Sequence, residues 1–179
     1  ARYDIEINGN VIDAGNSLTY TYAGGMVDGT SNWRVRGVDN AGNLGTWSTG
    51  TWAVTIDATA PLAPTLVAPV DTAVTNDATP TFTWLAASDG TGSGVVRYDI
   101  EINGNVIDAG NSLTYTYAGG MVDGTSNWRV RGIDDAGNIG AWSTGTWAVT
   151  IDATAPLAPT LVSPVDTALT NDNTPLFTW

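Results

Sequence analysis

Arg97-Tyr98-Asp99-Ile100-Glu101-Ile102-Asn103-Gly104-Asn105 alternates apolar and polar side chains one residue at a time and then reaches a turn signal. A period of two belongs to a strand with one buried face. Val96, Tyr98, Ile100 and Ile102 share that face, and Arg97, Asp99, Glu101 and Asn103 share the other. Asn103-Gly104 tolerates the positive φ that a tight hairpin demands. The same nine residues stand at Arg2 to Asn10, 95 positions earlier.

That offset holds throughout. Residues 1–84 align on residues 96–179 without a gap, with nine differences among 84 pairs and therefore 75 identities. Most differences are mild, such as Val38/Ile133 and Val74/Leu169, whereas Thr81/Leu176 and Ala78/Asn173 change character. Only Leu85 to Val95 has no counterpart. A period of 95 residues fits one small domain. The expectation is two whole periods less one loop, opened inside a domain.

One full period reads as seven strands. Thr65–Ala68 is followed by a polar turn over 71–79, and then Thr81–Trp84 places Phe82 and Trp84 on one face. The alternating strand comes next, then its return at Val106–Ile107, then Ser112–Tyr117 with Leu113, Tyr115 and Tyr117 in phase. Trp128 and Val130 point inward on the following strand while Arg129 and Arg131 point out, and Trp147, Val149 and Ile151 share a face on the last. No stretch has a helical period. Two antiparallel sheets packed face to face follow, an all-β sandwich. Pro61 and Pro64 keep the join between periods short and extended. The expected division is a partial repeat over 1–57, a complete one over 58–152 and a partial one over 153–179.

Composition narrows the partners. Six arginines, no lysine and no histidine face 18 acidic residues, for a net charge of −12. Phosphate binding needs clustered cations, so nucleic acid is excluded, as are anionic membrane surfaces. No apolar run is long enough to insert into a bilayer. Without cysteine there is neither a disulfide framework nor thiolate chemistry.

Several motifs resemble a known family. Thr79-Pro80-Thr81-Phe82-Thr83-Trp84, Ser88-Asp89, Ser93-Gly94-Val95, Trp128-Arg129-Val130-Arg131, Asp134-Asp135-Ala136-Gly137-Asn138 and the join Asp152-Ala153-Thr154-Ala155-Pro156 are similar to bacterial immunoglobulin-like and fibronectin type III-like repeats of large extracellular surface proteins. The resemblance covers the whole chain. It implies immunoglobulin-like or fibronectin type III-like sandwiches in tandem at the cell surface. The function it implies is a structural repeat of an extracellular fibre or adhesin stalk, assembled head-to-tail. The alternative is a carbohydrate-binding or spacer module attached to a secreted carbohydrate-active enzyme. Glycans and other surface proteins are the candidate external partners.

Chemistry has few candidates. Histidine and cysteine are absent, which removes the usual catalytic triads, and no enzyme is expected. Asp99 and Glu101 share an outer face beside Arg97 and read as solvated charge. Trp84, Trp128 and Trp147 sit on apolar phases and read as core. A buried aromatic withdraws about 150–250 Å² from water, roughly 4–6 kcal/mol as an upper bound. Exposed Trp142 and Tyr117 would instead suggest a sugar platform. Asp134, Asp135 and Asn138 in one loop, with Asp152 in the join, offer hard oxygen ligands for calcium at a domain junction. The two ends form a final candidate. Tyr3 and Ile5 lie on a sheet lacking its first two strands, and Phe177 and Trp179 lie on strands lacking a sheet, so the expectation is that identical units complete one another or that flanking parts of a longer chain do.

Overall fold

The computed structural model describes residues 1–179. It is all-β. No helix is long and apolar enough to cross a membrane. The first four strands, β1 (Arg2–Ile7), β2 (Asn10–Gly15), β3 (Gly29–Val38) and β4 (Trp52–Ile56), form one sheet in the order β2-β1-β3-β4.

The remaining eight build a sandwich. Its small sheet holds β5 (Leu66–Ala68), β7 (Thr81–Trp84) and β10 (Thr114–Thr116), in the order β10-β7-β5. Its large sheet holds β6 (Ala73–Thr75), β8 (Val95–Ile102), β9 (Asn105–Gly110), β11 (Gly124–Asp134) and β12 (Trp147–Ile151), in the order β6-β12-β11-β8-β9. The expected β8–β9 hairpin is there. Asn103 and Gly104 have φ of 50° and 83°, and Ile102 pairs with Asn105. The Asn103 side chain then fastens the turn to β11: its Nδ2 donates to Ser126 Oγ at 3.0 Å and its Oδ1 accepts from Asn127 N at 2.9 Å.

The core lies between the two sheets. Phe82, Trp84 and Leu66 from the small sheet meet Ile100, Trp128 and Val149 from the large one. Phe82 stands edge-on to Trp128 with ring centroids 5.0 Å apart, and Trp128 meets Trp147 edge-on at 5.9 Å. Edge-to-face pairs add about 0.5–1.5 kcal/mol beyond the burial itself. The indole nitrogens of Trp84 and Trp128 are buried without hydrogen-bond partners, so packing alone anchors both rings.

Three details depart from the sequence reading. The polar turn at 71–79 contains an eighth strand, β6, which pairs parallel to β12 through Ala73 and Val149. Three residues are too few to show a period, and it is the edge of β12 that makes them a strand. Val96 is 44% exposed, and Val95 packs on the core in its place. A register shift between Ile133 and Asp134 at the start of β8 moves the alternation by one residue. The outer charged face is covered rather than solvated: Asp99 is buried and the arginines opposite close over it.

Candidate functional site

That outer face is a cross-strand ladder. Arg129 pairs with Glu101 and Arg131 with Asp99 across β11 and β8. Arg129 Nε and Nη2 donate to the two Glu101 oxygens at 3.0 and 2.7 Å, and Arg131 Nε and Nη2 donate to Asp99 Oδ2 at 3.0 and 2.8 Å. The Trp142 ring lies 4.6 and 4.5 Å from the two guanidinium carbons. A buried carboxylate needs such partners, and stacking adds about 0.5–2 kcal/mol per cation–π contact. The first copy repeats the arrangement with Arg34, Arg36 and Trp47. There the Arg36 hydrogen bond, against some desolvation and with help from Arg2, holds the Asp4 carboxyl below its ordinary value. Trp142 is therefore a half-buried lid on charge. Tyr117 is half-buried against the core cluster. The two do not form an open flat row.

The join between the two copies is the most connected polar site. Asp57, Asp89 and Asp134 each bring a carboxylate oxygen within 4.8 Å of the others. Asp134 is almost wholly buried, accepting from Asn138 N at 2.7 Å and from Asn138 Nδ2 at 2.8 Å. Asn138 Nδ2 also donates to the backbone oxygen of Asp57 at 3.0 Å. Asp57 Oδ2 accepts from Ser93 N at 2.6 Å, and Asp89 Oδ2 accepts from Gly94 N at 2.7 Å. Hydrogen bonding from Ser93, first through its side chain and then its backbone, holds the Asp57 carboxyl below its ordinary value despite desolvation. Asp89 Oδ1 is buried with no partner. Two like charges 4 Å apart repel by about 4 kcal/mol at an effective dielectric of 20. A hard divalent cation, which takes carboxylate and carbonyl oxygens, suits such a donor set.

Of the residues expected to gather here, Asp134 and Asn138 do. Asp135 is exposed, and only its backbone N–H is engaged, with Gly94 O at 3.0 Å. Asp152 lies at the other end of the sandwich, beside the Ile151–Gly124 pair, while Asp134 closes the far end of β11. Ten strand residues lie between, roughly 30 Å. The residue that fills the expected role is Asp57, its counterpart one repeat earlier, because the join folds onto the module that follows it. Asp89 was missed, since a lone Asp in a Gly-rich loop has no pattern of its own.

The join is gripped from both sides. Asp28, from the first copy, accepts from Ala58 N at 2.8 Å and from the Thr59 hydroxyl. From the second copy, Ser88 O accepts from Leu62 N at 2.8 Å, and Asn138 holds Asp57. Pro61 passes so close that a Cβ on Gly140 would sit 2.6 Å from its carbonyl oxygen. Asp123 repeats the first grip on Ala153 and Thr154.

The end residues stand apart. Tyr3 and Ile5 line an apolar hollow of about 520 Å³ on the β1–β4 sheet. Phe177 and Trp179 lie on a loosely folded tail whose residues pair through Ser163 and Thr178, and both are largely exposed. The structure does not bring the two pairs together.

No family model matches the chain. Over 145 residues the chain is 28% identical to exoglucanase B of Cellulomonas fimi, an alignment covering 80% of this chain and 13% of that enzyme. The chain thus spans only a small part of that relative. Among solved structures, the fibronectin(III)-like modules of Clostridium thermocellum CbhA superpose with a TM-score of 0.53 and 20% identity, covering 89% of this chain and 82% of that one. The sixth fibronectin type III domain of a human fibronectin type III domain containing protein matches with a TM-score of 0.37 and 20% identity over 62% of this chain and 98% of that one. The fold is a fibronectin type III-like β-sandwich.

Proposed function

We propose that this chain is a stiff, non-catalytic spacer from a secreted carbohydrate-active enzyme, setting the distance and orientation between other modules. The observation that carries the reading is the doubly held join. Ala58 and Thr59 are bound by the first copy and Asp57 and Leu62 by the second, so few backbone torsions between the copies stay free. The likeness to part of exoglucanase B supports the enzymatic setting. The half-buried state of Trp142 and Tyr117 favours a spacer over a sugar platform. A stalk or fibre at the cell surface is the second reading, favoured by the 75 identities between the copies. Both readings place the chain outside the cell.

A cellulose sedimentation assay tests the assignment. The chain is expected to stay in the supernatant, and retention on the polymer would make it a binding module instead. Backbone relaxation by NMR tests stiffness. The two copies should share one tumbling time, and Asp28→Ala with Asn138→Ala should separate them. Calcium at Asp57, Asp89 and Asp134 would stiffen the join further by neutralising their repulsion. Added calcium should then raise the thermal midpoint by mass action, and Asp134→Asn should abolish the rise. An unchanged midpoint in wild type removes the ion from the site.

A further inference from the structure

We infer that the parallel contact between β6 and β12 is a mechanical clamp, which holds the complete sandwich at fixed length when the chain is pulled along its axis. The inference goes beyond the spacer reading, because a spacer sets a distance whether or not tension acts on it. Nine strand pairs form in the chain, and β6–β12 is the only parallel one. Strand direction decides how a pair meets tension. The chain enters the sandwich at the pole that holds Asp57 and Asp134, and it leaves at the opposite pole, where Ile151 faces Gly124. Tension therefore draws β6 back toward its first residue and β12 onward past its last. In a parallel pair those two pulls are opposed along the common axis, so the strands separate only by sliding. Sliding loads every cross-strand bond at once, whereas two strands drawn apart from one end lose their bonds in turn.

The seam is short but fastened at both ends. Ala73 pairs with Val149, Val74 with Thr150 and Thr75 with Ile151. Asp71 Oδ1 accepts from Ala148 N at 2.9 Å on one side, and Asp152 N donates to Thr75 O at 2.9 Å on the other. Packing resists the slide as well. Val149 and Ile151 are 0% and 1% exposed, and Ala73 packs on the core beside them. A step of one residue would turn the inward set outward, so β12 has to leave the core to move. On its other edge β12 pairs with β11 through five residues, and Thr125 Oγ1 and Thr150 Oγ1 lie 2.8 Å apart. The β6 side, with three pairs, is the weaker of the two seams and sets the force. Tension reaches β6 once β5 lets go, where Leu62 N donates to Ser88 O and Leu85 N donates to Thr65 O, each at 2.8 Å. That release frees only the stretch before β6, which ties the entering chain directly to the leaving one. Tension then crosses the module along one edge of the large sheet without passing through β8, β9 or β10.

Single-molecule pulling of the full chain in two directions tests this. The chain has no cysteine of its own, so paired cysteines place the handles at chosen points. Ala60→Cys with Ala155→Cys, both exposed positions, pulls along the axis through the complete sandwich. Val70→Cys with Thr146→Cys, also exposed, peels the two strands apart from the end where both begin. The axial pull should release roughly 300 Å of chain in all, from about 95 residues at about 3.3–3.6 Å each less the folded length. Its main rupture should need about 2-fold more force than peeling, or greater, because bonds that fail in turn each meet the whole load. Two proline variants locate the clamp. Thr75 O faces β12, and the N–H of that residue points the same way, whereas Val74 turns its backbone groups to solvent. Thr75→Pro should bring the axial force down to the level of peeling, and Val74→Pro, on the free edge, should leave it unchanged. Circular dichroism verifies that both variants fold. If Thr75→Pro does not, the two pulling directions decide alone, since both are measured with the seam intact. Equal forces in the two directions overturn the inference. So does an axial force that survives Thr75→Pro, and so does an equal loss in Val74→Pro. Retention on cellulose would remove the spacer reading and leave the clamp standing.

Discussion

Ser17–Gly29 and Ser112–Gly124 are the same thirteen residues, yet they differ in structure. In the complete sandwich Thr114–Thr116 is strand β10, paired with β7. In the first copy the equivalent Thr19–Thr21 forms no strand. Composition, alternation and local propensity are identical, so none of them decides. What differs is the presence of β7 to accept the hydrogen bonds and of Phe82 to cover Tyr115. The strand is a property of the pair, which is why β propensity varies so strongly with context. By contrast, β1–β3 and the arginine–tryptophan ladder form in both copies, because every partner they need lies within residues 2–56 or 97–151.

Paired substitutions turn that contrast into measurements. The largest difference is expected between Phe82→Ala and Phe177→Ala. The first should cost about 3–5 kcal/mol in chemical denaturation, as for other buried aromatics. The second should leave the unfolding of the chain nearly untouched, because Phe177 is 67% exposed. Equal costs would mean that the tail is already covered. Next come Gly140→Ala and Gly45→Ala. At Gly140 the new methyl meets the Pro61 carbonyl oxygen, whereas at Gly45 the nearest atom is Gly37 O at 3.1 Å. The first should cost about 1–3 kcal/mol as an overpacked site and loosen the join, and the second distinctly less. Thermal melts of the two variants compare them.

Trp142→Ala and Trp47→Ala should instead match one another, each losing about 1–2 kcal/mol of stacking and packing. A clear inequality in their melts would show that the ladder depends on the covering strands after all. The smallest effect concerns acid. Asp4, Asp57, Asp108 and Asp123 have carboxyls held below their ordinary value in the folded chain. A depressed folded value stabilises above the unfolded one, near pH 4, and the benefit fades as pH falls through the folded value. Stability should therefore be flat from neutral pH to about pH 5 and decline below about pH 4. Asp57→Asn should make that decline shallower in acid titrations followed by fluorescence.

Much of this architecture was legible in the sequence. The 95-residue offset, the alternation of β8, the Asn103-Gly104 turn and the inward phase of Phe82, Trp84 and Trp128 are all local patterns, and the structure keeps them. What escaped depends on the third dimension. Strand β6 exists only because the edge of β12 is beside it. The covering of Asp99 depends on Arg131 from the neighbouring strand and on Trp142, which stacks on that guanidinium from a loop 43 residues away in sequence. The junction was half legible. Its residue types were evident, but Asp57 and Asp152 are equivalent letters, and only the direction in which the join folds back distinguishes them.

The grip of Asp28 on Ala58 and Thr59 has a consequence for synthesis on the ribosome. Residues 62–84 emerge just after the sheet built from residues 2–56, whose inner face is identical to the one they need. Nothing in their side chains tells the two faces apart, and near-identical neighbours are prone to exchange strands. Direction supplies the discrimination. With Ala58 and Thr59 tied down and Pro61 and Pro64 limiting the bend, the nascent segment has few ways to fold back onto the sheet it has just left. Freeing that short tether should raise the yield of mispaired, aggregation-prone product before any change appears in the finished fold.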